Sequence, residues 1–388
     1  MRVLVVSPWP SWDTLDGNGL VLHRQLPLWA RHHEVSVLIG GLTTTVPPGQ
    51  PVETLALGDD RSGGLDYLLR RTNEVRGREP AHAQWTLRRR LLAEVHRRLP
   101  LVDVLHLHGW GTAGLAGLAP SVHVPFDPWA DSVANRVLPG WRKVSDAGEV
   151  ALIRRHERRH YPRCGTVVLV SDTDADAVRR QAPGTRAAVV PNGVEPGPTP
   201  APLPAEPLLV FHGTLATRAN ATAAVELARR ILPRVQAEVP GARLALVGRD
   251  PLPEVAALAG PDVTVTGAVP DVRPWLDRAA VYVAPMTEGH GLKNKVLEAM
   301  AAGRPVVASQ LALGGIGAGE GIVVADGAAA GARAVVDLLR DRDRAAAIGT
   351  AGRTRVERDF SWATNAARIE ELWTEVADRW RAHRNDPV

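Results

Sequence analysis

The sequence has little cysteine, little lysine and no long apolar run, although it extends over 388 residues. A single cysteine, Cys164, cannot form an internal disulfide, and one thiol does not make a Cys-type zinc site. A membrane span needs about 20 apolar residues. Runs such as 167–170 and 279–284 are only strand-sized, which excludes an integral membrane protein on this reading. The amino-terminal apolar run stops after four residues at Ser7-Pro8, so it reads as a first β-strand, with a cytoplasmic location expected, rather than as a secretory leader. A net charge of +4 gives no basis for a nucleic-acid partner. Of the 46 basic residues only three are lysine, the bias expected of a GC-rich, actinobacterial type of genome. The basic clusters Arg88-Arg89-Arg90, Arg97-Arg98 and Arg154-Arg155 with Arg158-Arg159 fall in expected helices and read first as solvated faces. A weak peripheral contact with anionic lipid is their second reading.

What the chain does have is length and alternation. A size of 388 residues suggests two domains. Strand-like runs at 3–6, 35–39, 102–107, 122–124, 167–170 and 187–190 alternate with helical stretches such as 20–30, 87–99 and 149–160. That is the pattern of a parallel sheet covered on both faces. Residues 195–207, EPGPTPAPLPAEP, have no periodicity and read as a stiff linker. A second alternation follows, with strands at 208–211, 244–247, 263–266, 281–284, 306–308 and 322–324 and helices near 221–237, 271–279, 293–302 and 328–340. A last helix runs from Trp362 to Arg381, with apolar positions at Ala366, Ile369, Leu372, Trp373, Val376 and Trp380. The expected fold is α/β: two doubly wound domains facing across a cleft, at 1–194 and 208–360, with 361–388 a terminal helix. Ligands of such sheets bind outside the carboxyl ends of the strands.

The densest chemical constellation runs from Pro285 to Ser309. A strand ends at Pro285, Gly289 and Gly291 allow backbone to approach a ligand, and a helix opens near Asn294. Free N–H groups and the positive dipole end there suit a phosphate. Two of the three lysines, Lys293 and Lys295, stand in this loop, where a compact ammonium is wanted in a chain that otherwise uses arginine. Lys295 and Glu298 share a helix face, so an ammonium can neutralise diphosphate while a carboxylate accepts from ribose hydroxyls. The plain alternative is a capped helix with a surface ion pair. In the first half, Asp16-Gly17-Asn18-Gly19 follows the first strand; His106, His108 and Gly109 end another, and His123 to Asp127 end the next. Histidines and aspartates at strand ends supply acids, bases or sugar ligands; otherwise they cap helices or satisfy buried partners. Seven of 11 tryptophans precede residue 142; Trp9, Trp12, Trp110 and Trp129 are the candidate stacking surface for a flat or sugar acceptor, with core packing the default for any one.

The block GLKNKVLEAMAAGRPVVAS, the segment VVPNGVE, the stretch FHGTLATRANATAAVELARRILP, the run VTGAVPDVRPWLDRAAVYVAP and the late FSW together resemble the retaining glycosyltransferases of family 4, in order and over nearly the whole chain. The resemblance implies the GT-B fold, with two Rossmann-like domains, the nucleotide-sugar donor mainly on the second, the acceptor mainly on the first, and a terminal helix crossing back to the first. It places the second glutamate of the family's paired motif on Glu298, the ribose ligand, and the first on His290, a departure, with Glu288 close by. The usual donor-phosphate arginine and lysine fall on Thr214 and Ala219, a second departure beside Arg218. Gly17 and Gly19 match the family's Gly-rich loop. Donor contacts are thus expected from Gly17, Gly19, Gly213, Arg218, Gly289, His290, Gly291, Leu292, Lys293, Asn294, Lys295 and Glu298. Acceptor contacts are expected from Trp9, Trp12, Asp16, His108, Trp110 and Trp129.

The activity implied is transfer of a hexosyl residue from a nucleotide diphosphate sugar to an acceptor hydroxyl, of a sugar, glycoside or small molecule, with retention, in envelope glycan or natural-product biosynthesis. Lys295 and Arg218, with His123 and Asp127, are the expected catalytic groups. No cofactor and no metal is expected, since no Asp-x-Asp pair stands where a diphosphate would sit; Asp172, Asp174 and Asp176 open a helix and read as capping. Competing readings are a catalytically silent nucleotide-sugar-binding protein, a GT-B epimerase or phosphorylase, and a dinucleotide oxidoreductase. The last lacks a full Gly-x-Gly-x-x-Gly after the first strand.

Overall fold

The computed structural model describes residues 1–10, 12, 17–40, 45–57, 80, 83, 89–134, 143–289 and 291–385. They form two compact units, one of Met1–Pro191 with Asn365–Val388 and one of Asn192–Thr364. Each is built on one parallel sheet, and its strands are near-continuous Val, Leu, Ile and Ala because helices cover both faces.

The first sheet contains β1 (Arg2–Ser7), β2 (Glu34–Ile39), β3 (Glu53–Ala56), β4 (Val104–His108), β5 (Ser121–Phe126), β6 (Thr166–Leu169) and β7 (Ala187–Val189), in the order β3-β2-β1-β4-β5-β6-β7. The edge strand β3 was not foreseen; its ETLA sequence is short, and half-exposed pairing with β2 supplies what its propensity does not. The order reverses between β1 and β4, which pair in parallel from Val3 with Val104 to Val6 with Leu107.

The second sheet repeats this topology with β8 (Leu208–His212), β9 (Arg243–Val247), β10 (Val263–Val265), β11 (Val281–Ala284), β12 (Val306–Ala308) and β13 (Ile322–Val324), in the order β10-β9-β8-β11-β12-β13. Its switch point lies between β8 and β11. The helix expected near 221–237 is interrupted: Arg218–Glu226 and Leu232–Gln236 flank a π-turn at Leu227–Ile231. Pro233, which cannot donate an N–H, follows directly and accounts for the local rearrangement.

The proline-rich segment expected as a linker belongs to the second unit. Prolines leave carbonyls but few N–H groups, and arginines meet them. Arg353 donates to the carbonyls of Pro196, Gly197 and Pro198, Arg342 to those of Leu203 and Pro204, and the buried Arg304 to those of Ala201 and Pro202. The terminal helix, Trp362–Asn385, begins in the second unit and passes into the first. There Ala366, Ile369, Trp373 and Val376 are buried with Trp29, whose ring lies 4.8 Å from that of Trp373. No described helix is long and apolar enough to cross a membrane.

Candidate functional site

In the second unit the carboxyl ends of β8 and β11 deliver the chemistry. After β11 the chain turns through Gly289 and Gly291, both at positive φ, 111° and 68°, and enters the helix Asn294–Ala301. Lys293 precedes that helix without a side-chain cap, so its first-turn N–H groups keep their capacity for an anion. Leu292 packs on the core beneath, and Lys293 is buried, its ammonium donating to the Gly291 carbonyl at 3.1 Å. That contact clasps the loop. Asn294 accepts from Asn192 Nδ2 at 3.4 Å.

Lys295 and Glu298 share one face as expected, yet each bonds to another element rather than forming a surface pair. Nζ of Lys295 donates to Oδ1 of Asn220 and lies 4.7 Å over the ring of Phe211. Burial, with the neighbouring Lys293 charge, pulls the Lys295 ammonium down to about 8, against the attraction of Glu298. Glu298 accepts from Nε2 of His212, the last residue of β8, at 2.6 Å. Burial alone would raise the Glu298 carboxyl, but the His212 bond and the Lys295 charge outweigh it and hold it below its ordinary value. The histidine side chain is 5% exposed and the glutamate 43%. A fixed imidazole therefore aims a carboxylate that still reaches solvent.

Backbone space is kept open beside this pair. A Cβ on Gly213, whose φ is 149°, would come 2.7 Å from Lys295 Nζ, and one on Gly248 would meet the Gly213 carbonyl oxygen at 1.7 Å. Asn220 Nδ2 donates to the Thr214 carbonyl at 2.9 Å, and Thr222 holds Glu288 at 2.6 Å. Arg218 opens the helix Arg218–Glu226; it is exposed and makes no side-chain hydrogen bond among the described residues. Its guanidinium is therefore available to a ligand. His212, Asn220 and Thr222 went unremarked as sequence, because a histidine ending an apolar strand and small polar residues in an alanine-rich helix carry no motif of their own. His290 lies outside the described residues.

The first unit is different. His123 and His108 are wholly buried, so the expectations of an acid–base role and of acceptor contact are corrected at both. Nδ1 of His123 donates to the Leu107 carbonyl at 3.1 Å, its ring lies 5.1 Å from Tyr161, and burial pushes its pKa to about 3. It is a neutral interior histidine. His108 stacks against His106 and meets Phe126 edge-on at 4.6 Å. Trp129, expected at the acceptor, is also core: it is 2% exposed and lies parallel to Trp110, with centroids 5.2 Å apart. Asp127 accepts from Trp110 Nε1 at 3.1 Å and Ser132 Oγ at 2.7 Å, which makes it the clasp of this stack. Trp9 and Trp12 are partly buried; Trp9 stands edge-on to both Trp110 and Phe126. Phe126 carries a φ of 77°, a strained non-glycine position where the β5 register shifts. Gly17 and Gly19 begin the helix Gly17–Trp29, and Asp16 lies outside the described residues. Among the described residues no three His, Cys, Asp or Glu side chains gather as a metal site. Ser171 accepts from the Asp174 N–H at 3.1 Å, so the Asp-rich segment begins a capped helix.

Two family models match in the order of the two units: Glycosyltransferase Family 4 over residues 21–197 and Glycosyl transferases group 1 over residues 206–341. The alpha-maltose-1-phosphate synthase of Mycolicibacterium smegmatis is 30% identical over 323 residues, covering 71% of this chain and 79% of that protein. The chain belongs to the family 4 glycosyltransferases. Solved structures agree on the GT-B fold. Sucrose-phosphate synthase from Thermosynechococcus elongatus superposes with a TM-score of 0.67 at 18% identity, over 98% of this chain and 100% of that one. HepE of Anabaena, solved with UDP and glucose, gives 0.63 at 14%, over 97% and 100%. At the start of the helix Arg218–Glu226, Arg218 stands exposed, while Lys295 reaches across from the helix Asn294–Ala301 to Asn220.

Proposed function

We propose that this glycosyltransferase moves a hexosyl residue from a nucleoside diphosphate sugar to an acceptor hydroxyl, with retention at the anomeric carbon and without a metal ion. The observation that carries the reading is the helix start at Asn294, uncapped by a side chain, with Lys295 and the His212-held Glu298 on its face. In the proposed arrangement the diphosphate meets the first-turn N–H groups, the Lys295 ammonium and Arg218, while Glu298 accepts from the ribose hydroxyls. The bond between the anomeric carbon and the phosphate oxygen breaks with its electron pair on phosphate. The acceptor oxygen bonds to that carbon on the same face, and its proton passes to the departing phosphate oxygen. Charge grows on the leaving diphosphate as an oxocarbenium-like centre forms, so fixed positive charge is worth most in the transition state. The UDP and glucose bound by the Anabaena neighbour support a nucleotide-sugar donor.

One feature favours a second reading, binding without turnover: His290 stands where the family's first glutamate would be. Incubation with UDP-, GDP-, ADP- and dTDP-sugars, an acceptor panel and EDTA separates the two. Nucleotide release with an α-configured product from an α-configured donor, undiminished by chelator, is expected. Tight donor binding with neither transfer nor hydrolysis would establish the silent alternative, and a loss of about tenfold restored by magnesium or manganese would refute the metal-free assignment.

A further inference from the structure

Under the last turns of the terminal helix, the first unit contains a cavity of about 370 Å³. It lies at the amino ends of three neighbouring strands, bounded by Pro120 ahead of β5, Gly165 ahead of β6 and Arg186 ahead of β7, and it is roofed by Val376, Trp380 and His383. Rossmann-like sheets take substrates at the opposite, carboxyl ends of their strands. The cavity is thus separate from the places where donor and acceptor are expected.

Its walls combine an apolar floor with a cationic rim. Val376 is buried, Trp380 is half-buried, and Cys164 adds a small apolar surface: its thiol faces the His160 carbonyl, and burial pushes its pKa up, out of nucleophilic range. Arg379, also on the wall, is already committed to the Gly165 carbonyl at 3.0 Å, Thr166 Oγ1 at 3.1 Å and Glu375 at 3.3 Å. Arg186 is exposed and has no side-chain hydrogen bond or ion pair among the described residues. His383 uses Nδ1 to donate to the Arg379 carbonyl at 2.7 Å, which fixes its ring against the helix. Among the described residues that line the cavity there is no carboxylate. An apolar pocket of this size with uncompensated positive charge at its mouth is complementary to a molecule with the reverse pattern.

We propose that this cavity binds a small amphipathic anion, a carboxylate on a medium-length apolar body, with the body between Trp380 and Val376 and the carboxylate at Arg186. Octanoate, octan-1-ol and acetate test body and head separately on the full chain by calorimetric titration. Octanoate is expected to bind one per chain, octanol at least tenfold more weakly, and acetate not measurably. Arg186→Ala should weaken octanoate at least tenfold and leave octanol unchanged, whereas Trp380→Ala should weaken both. Saturating UDP should not displace octanoate. Absence of saturable octanoate binding, indifference to both substitutions in variants with parental circular dichroism, or competition by UDP would overturn the assignment.

Discussion

The two units share one strand order but treat the polar residues at their strand ends in opposite ways. In the first, His106 lies within β4, His108 ends it and His123 lies within β5, yet all are sealed. Trp373 from the terminal helix donates to His106 Nδ1 at 3.3 Å, and Trp29 and Tyr161 pack on the rings. In the second, His212 ends β8 equally buried, but its outer nitrogen holds a carboxylate that reaches solvent. A polar residue at the carboxyl end of a parallel strand is therefore not a functional signal by itself. What decides is whether the elements packed over it bring an aromatic ring or a charged partner.

The largest expected effect tests the charged end of that comparison. Lys295→Ala should lower kcat about 100-fold, the order lost with one preorganised electrostatic group, and raise KM for donor much less. Lys295→Arg should recover only part, since a planar fork does not replace a compact ammonium tucked against Asn220 and Phe211. Steady-state kinetics on both variants decide this. Next, His212→Phe keeps the bulk but frees Glu298; donor affinity should fall about tenfold, the low end of a charge-assisted bond's worth, with the thermal midpoint little changed. Smaller again is the effect of pH. The free enzyme's Lys295 loses its proton as pH rises through about 8, and a bound diphosphate favours the charged form, so donor affinity should decline several-fold from pH 7 to 9. In Lys295→Arg that slope should vanish. At the sealed end, His123→Asn should leave kcat within about twofold. Because the folded His123 titrates near 3 and an unfolded histidine near about 6.5, its contribution to stability is present above about 6.5 and lost as pH falls toward 3. Acid denaturation of the Asn variant should lack that part of the slope.

Much of the fold was legible because buried parallel strands are written as apolar runs and crossover helices as periodic ones. The strand β3 was not, since four half-exposed residues at a sheet edge carry no distinctive pattern. Nor was the attachment of residues 195–207, which depends on arginines more than 70 positions away. At the candidate site, Lys295 and Glu298 were legible from their spacing and from lysine's rarity. Their partners were not, because Asn220 and His212 lie 75 and 86 residues from them and only the switch point of the sheet brings them together. His123, His108 and Trp129 were misread for the complementary reason. Their place at strand ends was visible, whereas Tyr161, Phe126 and Trp110, which enclose them, meet them only in three dimensions.

Calorimetric titration of UDP, GDP, ADP and dTDP into the parent chain and Glu298→Ala tests most directly whether the His212-held carboxylate is the ribose ligand of a nucleotide site. At least one nucleotide should bind the parent, and the loss of a charge-assisted bond of about 1.5–3 kcal/mol should weaken it by roughly 10- to 100-fold in the variant, with the unfolding midpoint preserved. Equal affinity in the two proteins would contradict the assignment of this site.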